Sequence, residues 1–132
     1  MKLEVICTPS EKDSKKGSLK MTGSLGDVMK ESVNIALSFA KNFMNQNYPE
    51  NHFLTNKQIH IHFPEGASKK DGPSAGITIT TALLSLALNK KYNTNFAMTG
   101  EISLNGKVMK IGGLREKILA AKREKIYNII VP

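Results

Sequence analysis

Hydrophobic and polar positions follow two different periods along this chain, which predicts both strands and helices. Segments with a period of two or a short apolar run predict strands at 3–7, 58–63, 96–99 and 127–131. Apolar positions at helical spacing predict helices from 28 to about 45, from 74 to 88 and from 114 to about 124. The Asn105-Gly106 pair, flanked by the short segments 102–104 and 107–109, predicts a β-hairpin.

The predicted order is strand, helix, strand, helix, hairpin, helix, strand, which indicates one mixed α/β (α+β) domain with small mixed sheets packed by helices. Ser24 is predicted to cap the first helix, with Asp27 three residues on completing a capping box. Residues 11–17 and 45–56 are predicted to be polar loops. The last strand stops abruptly at Pro132, so we expect residues 1–132 to be a single domain that is truncated at its ends.

Composition supports an ordinary globular domain. The chain has 132 residues, of which 40% are hydrophobic and 23% charged, and this excludes the composition typical of disorder. No apolar run approaches the length of a membrane span, so we expect no membrane partner. Cys7 is the single cysteine and cannot form an internal disulfide, which favours a reducing compartment.

The net charge of +8 makes nucleic acid a partner to consider. The basic residues are spread along the chain, however, and there is no Trp and no base-stacking motif. We interpret most of them as solvated surface lysines, and we expect any nucleic-acid binding to be non-specific and sensitive to salt.

Ser74 is the first candidate for chemistry, because it follows a tight Asp71-Gly72-Pro73 turn and precedes an apolar helix. Free N–H groups in the first turn of a helix can receive a developing oxyanion, which suits a nucleophilic serine. The alternative is that Ser74 is simply the N-cap of this helix.

A nucleophilic serine needs a base, and the three histidines are the obvious candidates. His60 and His62 share one face of a strand and His52 lies in a loop, but no G-x-S-x-G elbow supports a Ser-His-Asp triad. A His-x-His metal site would need a third ligand such as Glu65 or Asp71, and nothing selects either. We therefore predict no metal site.

Lys117 is the other candidate base. On a helix that starts at Leu114, its side chain projects beside an apolar stripe of Leu114, Ile118 and Ala121. A lysine turned toward a core loses hydration, which favours the neutral amine that a general base requires. The alternative is a snorkelling lysine whose amine stays in water.

Five segments of the chain resemble, in the same order, the conserved blocks of Lon proteases. They are 22–32 (TGSLGDVMKES), 62–67 (HFPEGA), 70–76 (KDGPSAG), 97–102 (AMTGEI) and 111–117 (IGGLREK). The 43-residue separation of Ser74 and Lys117 also resembles the family. Small departures occur at Lys69, Lys110 and Arg115, away from the candidate chemistry.

The resemblance implies a serine endopeptidase with a Ser-Lys dyad that works through an acyl-enzyme. Ser74 would be the nucleophile, Lys117 its base and Thr99 the residue that orients the lysine. Backbone N–H groups around Gly72 to Ser74 would form the oxyanion hole. The resemblance further implies that Asp71 can approach the lysine in resting forms, that Glu101 belongs to the polar shell, and that a substrate groove is formed by Phe63, Pro64, Glu65, Gly66 and Ala67.

For the full-length protein, the resemblance implies an ATP-dependent hexamer that degrades unfolded or damaged polypeptides. ATP and Mg would act in an ATPase domain that is absent from this chain, which has no Walker motif, so no cofactor is expected here. The charged loop at 11–17 resembles mitochondrial forms, which makes the mitochondrial matrix the first expectation and the bacterial cytoplasm the second. The alternative function is a catalytically inert Lon-like assembly module.

Overall fold

A computed structural model describes residues 1–9 and 18–132. The predicted charged loop at 11–17 lies outside the described residues. The strands are β1 (Glu4–Pro9), β2 (Leu19–Thr22), β3 (Lys57–His62), β4 (Phe96–Met98), β5 (Glu101–Ile102), β6 (Val108–Met109) and β7 (Asn128–Ile130). The helices are α1 (Asp27–Asn47), α2 (Phe53–Asn56), α3 (Gly76–Ala87) and α4 (Leu114–Arg123). The predicted mixed α/β class with small sheets is confirmed.

The largest sheet has the order β1-β3-β2, with β3 antiparallel to β1 and parallel to β2. Alternation along β3 turns Ile59 and Ile61 into the core, where each is almost fully buried. His60 and His62 face the other side, and both hydrogen-bond the Thr22 hydroxyl, at 2.8 and 2.7 Å. The inner face of this sheet therefore completes the core, while most side chains on its outer face are polar.

The core lies between this sheet and the helices α1 and α3, which pack against each other. The buried face of α1 includes small residues such as Ala36 and Ala40, which let α3 approach closely. Ile79 and Leu83 of α3 are fully buried in the same core. This packing holds the start of α3, and with it the loop that carries Ser74, at a fixed place beside α1.

Two small sheets form the other end of the described fold. β4 pairs in parallel with β7, and β5 pairs with β6 as the predicted hairpin around Asn105-Gly106. α4 connects the hairpin to β7. Of the predicted apolar stripe on α4 only Ala121 is buried, whereas Leu114 and Ile118 remain 36% and 41% exposed.

The predicted capping box at Ser24 is wrong. α1 begins after Gly26, which is its N-cap residue and makes no side-chain hydrogen bond to the helix. Ser24 lies two residues earlier and has a left-handed φ of 57°. The reason is tertiary, because residues 24–26 pair with the backbone of Lys70 and so cannot adopt the capping geometry. A carboxylate from another part of the chain caps the helix instead.

Two short elements went unpredicted, and α3 begins later than predicted. β2 is only four residues long, and α2 lies in the segment predicted as a polar loop, where the buried Leu54 anchors it. α3 starts at Gly76 rather than at position 74, because the preceding residues form a turn. Within the described residues, no helix is both long and apolar enough to cross a bilayer.

Candidate active site

Ser74 lies in the turn that leads into α3, where the Gly76 N–H donates to the Pro73 carbonyl at 3.2 Å. The N-cap of α3 is Ala75, and no side chain caps the helix. The structure therefore excludes the alternative that Ser74 serves as the N-cap. No side-chain hydrogen bond caps α3 and Ser74 is only half-buried, which leaves this position accessible to a substrate.

The backbone of Ser74 is tied to the segment after β4. Its carbonyl accepts the Gly100 N–H at 2.9 Å, and the Gly100 carbonyl accepts the Ile77 N–H at 3.1 Å. The hydroxyl of Thr99 also donates to the Ser74 carbonyl, at 3.4 Å. These bonds fix the candidate nucleophile relative to Thr99, which is itself only 6% exposed.

Lys117 reaches the same point from α4. Its ammonium nitrogen lies 3.4 Å from the Thr99 hydroxyl oxygen, and its side chain is half-buried. Gly113, which precedes the helix, has a φ of 69°, a left-handed conformation that glycine adopts at little cost and that aims α4 at this site. The structure thus links Lys117 to Thr99 and Thr99 to the backbone carbonyl of Ser74, and among the described residues it records no hydrogen bond between the side chains of Lys117 and Ser74. Their catalytic roles stay predictions.

Both contacts of the Thr99 hydroxyl are longer than the usual 2.7–3.2 Å of protein hydrogen bonds. Long catalytic hydrogen bonds are common in proteins without substrate and shorten in the reacting complex. The hydroxyl can accept from the Lys117 ammonium while it donates to the Ser74 carbonyl, because it carries one donor and two acceptor positions. Thr99 therefore links the candidate base to the backbone of the candidate nucleophile.

The Asp71 carboxylate caps α1 rather than meeting Lys117. Its Oδ1 accepts the backbone N–H of Met29 at 3.0 Å and that of Gly72 at 2.9 Å. These two hydrogen bonds, that of Met29 first, hold the pKa of Asp71 below its ordinary value because they stabilise the ionised form. The predicted approach of Asp71 to Lys117 is not what this structure shows.

The hydrogen bond from Gly72 to Asp71 reduces the number of backbone N–H groups in residues 72–74 that could bind an oxyanion. The Gly72 N–H is already donated to Asp71, and Pro73 has no N–H to give. Of residues 72–74, this leaves the backbone N–H of Ser74 to bind an oxyanion.

A small cavity adjoins the nucleophile turn. Its volume is about 100 Å³, and Pro73, the residue before Ser74, forms part of its wall. Glu101, which the resemblance placed in the polar shell, also lines it, and Ser32 donates to the Pro73 carbonyl at 3.4 Å. The remaining lining residues are Val28, Glu31, Ile35 and Ile102.

The predicted substrate groove is only partly available. The side chain of Phe63 is fully buried in the core, and its N–H donates to the Thr22 carbonyl at 3.1 Å. The Phe63 side chain therefore does not line a groove, and its N–H is already engaged within the sheet, so pairing of the remaining segment with a substrate stays a prediction. Pro64 is half-buried, whereas residues 65–67 (Glu65, Gly66 and Ala67) are exposed.

Two residues near the site were missed from the sequence. Ser32 follows Met29 by three positions and precedes Ala36 by four, so helical spacing alone could have placed it on the buried face of α1. No sequence pattern indicates the contacts of Lys70, because they depend on how the loop folds back on itself. In the described part of the chain, no group of three or more His, Cys, Asp or Glu side chains could hold a metal ion.

Comparison with known proteins shows the family to which the chain belongs. The family model described as the Lon protease (S16) C-terminal proteolytic domain matches residues 3–132. The relatives named "Lon protease homolog, mitochondrial" include those of Rattus norvegicus (59% identical over 121 residues, 92% of this chain), Homo sapiens (54% over 127 residues, 94%) and Saccharomyces cerevisiae (57% over 115 residues, 87%). The matches span 13%, 13% and 10% of the lengths of those relatives. The chain belongs to the family of Lon protease (S16) C-terminal proteolytic domains.

Proposed function

We propose that this chain is the peptide-cleaving domain of an ATP-dependent serine endopeptidase, with Ser74 as nucleophile and Lys117 as base. One observation carries the proposal. The Lys117 ammonium contacts the Thr99 hydroxyl, which in turn contacts the backbone of Ser74. A lysine, a threonine and a serine from three separate segments are linked in this way. The link supports a Ser-Lys dyad, in which the serine hydroxyl and the lysine amine come within hydrogen-bond reach of each other.

The proposed reaction proceeds through an acyl-enzyme. The Ser74 hydroxyl oxygen attacks the peptide carbonyl carbon while neutral Lys117 takes its proton, and the Ser74 amide supports the oxyanion. The tetrahedral intermediate then collapses, the C–N bond breaks, and Lys117 returns the proton to the leaving amine. Water then attacks the ester carbonyl carbon while Lys117 takes its proton, the C–O bond to Ser74 breaks, and Lys117 returns the proton to the serine oxygen, so both residues end as they began. Thr99 orients the amine throughout.

We propose that the cavity beside Pro73 accepts the substrate side chain next to the scissile bond. Its walls are apolar at Val28, Ile35 and Ile102, and the carboxylates of Glu31 and Glu101 add negative charge. A cavity of 150 Å³ holds benzene, so about 100 Å³ suits an aliphatic side chain better than a large aromatic one. Acidic side chains would be repelled.

The properties of the whole protein are part of the same proposal. Its substrates would be unfolded or damaged polypeptides, its assembly a hexamer and its compartment the mitochondrial matrix, since the relatives above are named mitochondrial. ATP and Mg would act in a separate ATPase domain, and peptide cleavage in this domain would use no cofactor. Nucleic-acid binding would be non-specific attraction to the net charge of +8.

Active-site labelling with a fluorophosphonate tests the proposal. The reagent should label wild-type protein but not the Ser74→Ala variant, and Lys117→Arg should label far more slowly because a guanidinium cannot act as a base. Ser38→Ala, on the exposed side of α1, and Lys122→Arg, in the last turn of α4, are the matched controls. Labelling that survives Ser74→Ala would exclude the dyad. A folded wild type that is never labelled and never cleaves peptides would favour the inert assembly module.

A further inference from the structure

The turn at residues 65–68 is exposed and strained, and it lies just before the nucleophile loop. The Ser68 N–H donates to the Glu65 carbonyl at 3.1 Å, which closes the turn. Glu65 has a φ of 69°, a left-handed conformation that is disfavoured for a residue with a Cβ. A strained backbone of this kind persists only where the surroundings hold it, and such sites cluster where a ligand is bound.

The side chain of Lys70 holds the 65–68 turn in this conformation. Its ammonium nitrogen lies 2.6 Å from the Glu65 carbonyl oxygen and 2.9 Å from the Ser68 carbonyl oxygen. One charged group thus binds the first and the last carbonyl of the turn, and hydrogen bonds from a charged donor are stronger than neutral ones. The side chain of Lys70 is therefore a brace across the 65–68 turn.

The backbone of Lys70 is itself fixed to the body of the domain. Its N–H donates to the Ser24 carbonyl at 3.0 Å, and its carbonyl accepts the Gly26 N–H at 2.8 Å. The next residue, Asp71, caps α1 through the Met29 N–H. Lys70 consequently connects an exposed turn to the rigid start of α1, four residues before Ser74.

We infer that Lys70 is a positioning residue for extended peptide substrates, and that it acts by holding the 65–68 turn in the shape that pairs with them. The inference rests on the proposed function. Gly66 and Ala67 at the middle of the turn are exposed, so this turn is accessible to a substrate that arrives from solvent. A strand-like substrate gains affinity from main-chain hydrogen bonds, and a preformed partner spares the cost of ordering it on binding.

The test compares Lys70→Met with Lys69→Met. The two lysines are adjacent and both changes remove one charge, but the Lys69 side chain is exposed whereas that of Lys70 hydrogen-bonds the turn. Lys70→Met should raise KM for a peptide that spans the turn by about tenfold, which corresponds to about 1.4 kcal/mol, and leave kcat within about twofold. Labelling of Ser74 by a small fluorophosphonate, which does not reach the turn, should not change. Lys69→Met should behave as the wild type in every assay.

Amide hydrogen exchange gives a readout that does not depend on activity. Exchange of the Ser68 amide should become about tenfold faster in Lys70→Met and stay unchanged in Lys69→Met. Unchanged Ser68 exchange in Lys70→Met would overturn the inference, as would equal KM values in the two variants or labelling that falls as much as peptide cleavage. Absent labelling in the wild type would count against the dyad, while Ser68 exchange would still decide whether Lys70 holds the turn.

Discussion

The ammonium nitrogen of Lys117 lies 3.4 Å from the hydroxyl oxygen of Thr99, although one residue comes from α4 and the other follows β4. Thr99 is 6% exposed and donates in turn to the Ser74 carbonyl at 3.4 Å. The threonine is thus the only side chain that the described structure records in hydrogen-bond contact with both Lys117 and the nucleophile loop. Its hydroxyl, rather than its bulk, is the feature that the proposed chemistry needs.

Two substitutions of Thr99 separate the effect of its hydroxyl from the effect of its size. Thr99→Val keeps the shape but leaves the lysine without its hydroxyl partner, so the rate of acylation of Ser74 should fall by about tenfold to a hundredfold. Thr99→Ser retains the hydroxyl and should keep most of the rate. The measurement is the second-order rate of fluorophosphonate labelling, with thermal unfolding to confirm that both variants fold. Equal rates in the two variants would show that the hydroxyl has no role in orienting Lys117.

Asp71 should make the stability of the domain depend on pH in the acidic range. Hydrogen bonds from the Met29 and Gly72 N–H groups keep its pKa below the ordinary value of about 3.9. In the window between the folded and unfolded pKa values the unfolded chain binds more protons. The contribution of Asp71 is therefore fully present above about pH 4 and is lost as the pH falls through the folded pKa.

The comparison with Asp71→Asn isolates this effect, because the amide oxygen still accepts the Met29 N–H but does not titrate in this range. Urea unfolding from pH 7 down to pH 2 should show wild type more stable at neutral pH, with the difference shrinking below about pH 4. A difference that stays constant across this range would mean that the carboxylate is not held by these bonds.

Gly26 should be intolerant of a side chain for a reason specific to this site. A Cβ at this position would lie 2.2 Å from the Asp71 carboxylate carbon, so Gly26→Ala must displace the group that caps α1. We expect a loss of about 1–2 kcal/mol in the free energy of unfolding, the usual cost of losing an N-cap. Gly66→Ala is the control, because nothing lies within 4 Å of its added carbon. Similar urea midpoints for the two variants would contradict the cap.

The cavity beside Pro73 predicts which peptide bonds are preferred. Among peptides that differ only at the residue before the scissile bond, leucine should exceed aspartate in kcat/KM by about tenfold or more, since burying a leucine side chain contributes about 1.5–3 kcal/mol. Glu31→Gln removes one of the two carboxylates that line the cavity. It should reduce the ratio of the two kcat/KM values by raising kcat/KM for the aspartate peptide. Equal kcat/KM across the panel would show that the cavity does not bind this side chain.

Much of the fold was accessible from local sequence patterns. The alternation around Ile59 and Ile61 predicted β3, the Asn105-Gly106 pair predicted the hairpin of β5 and β6, and helical spacing predicted α1, α3 and α4 to within a few residues. These predictions succeed because the period of apolar positions is a property of neighbouring residues. Short elements such as β2 and α2 carry too few residues for a period to be detected.

By itself, the sequence determined the mixed α/β class, the elements and the types of residue from which a site could be built, because backbone geometry and side-chain chemistry are local. Only the tertiary structure decided that Asp71 rather than Ser24 caps α1, that Lys70 braces the 65–68 turn, and that Thr99 joins Lys117 to the Ser74 loop. Each of these contacts joins groups that meet only when the chain folds back on itself. Their geometry depends on how α1, α3 and the sheets pack, which no spacing along the chain encodes.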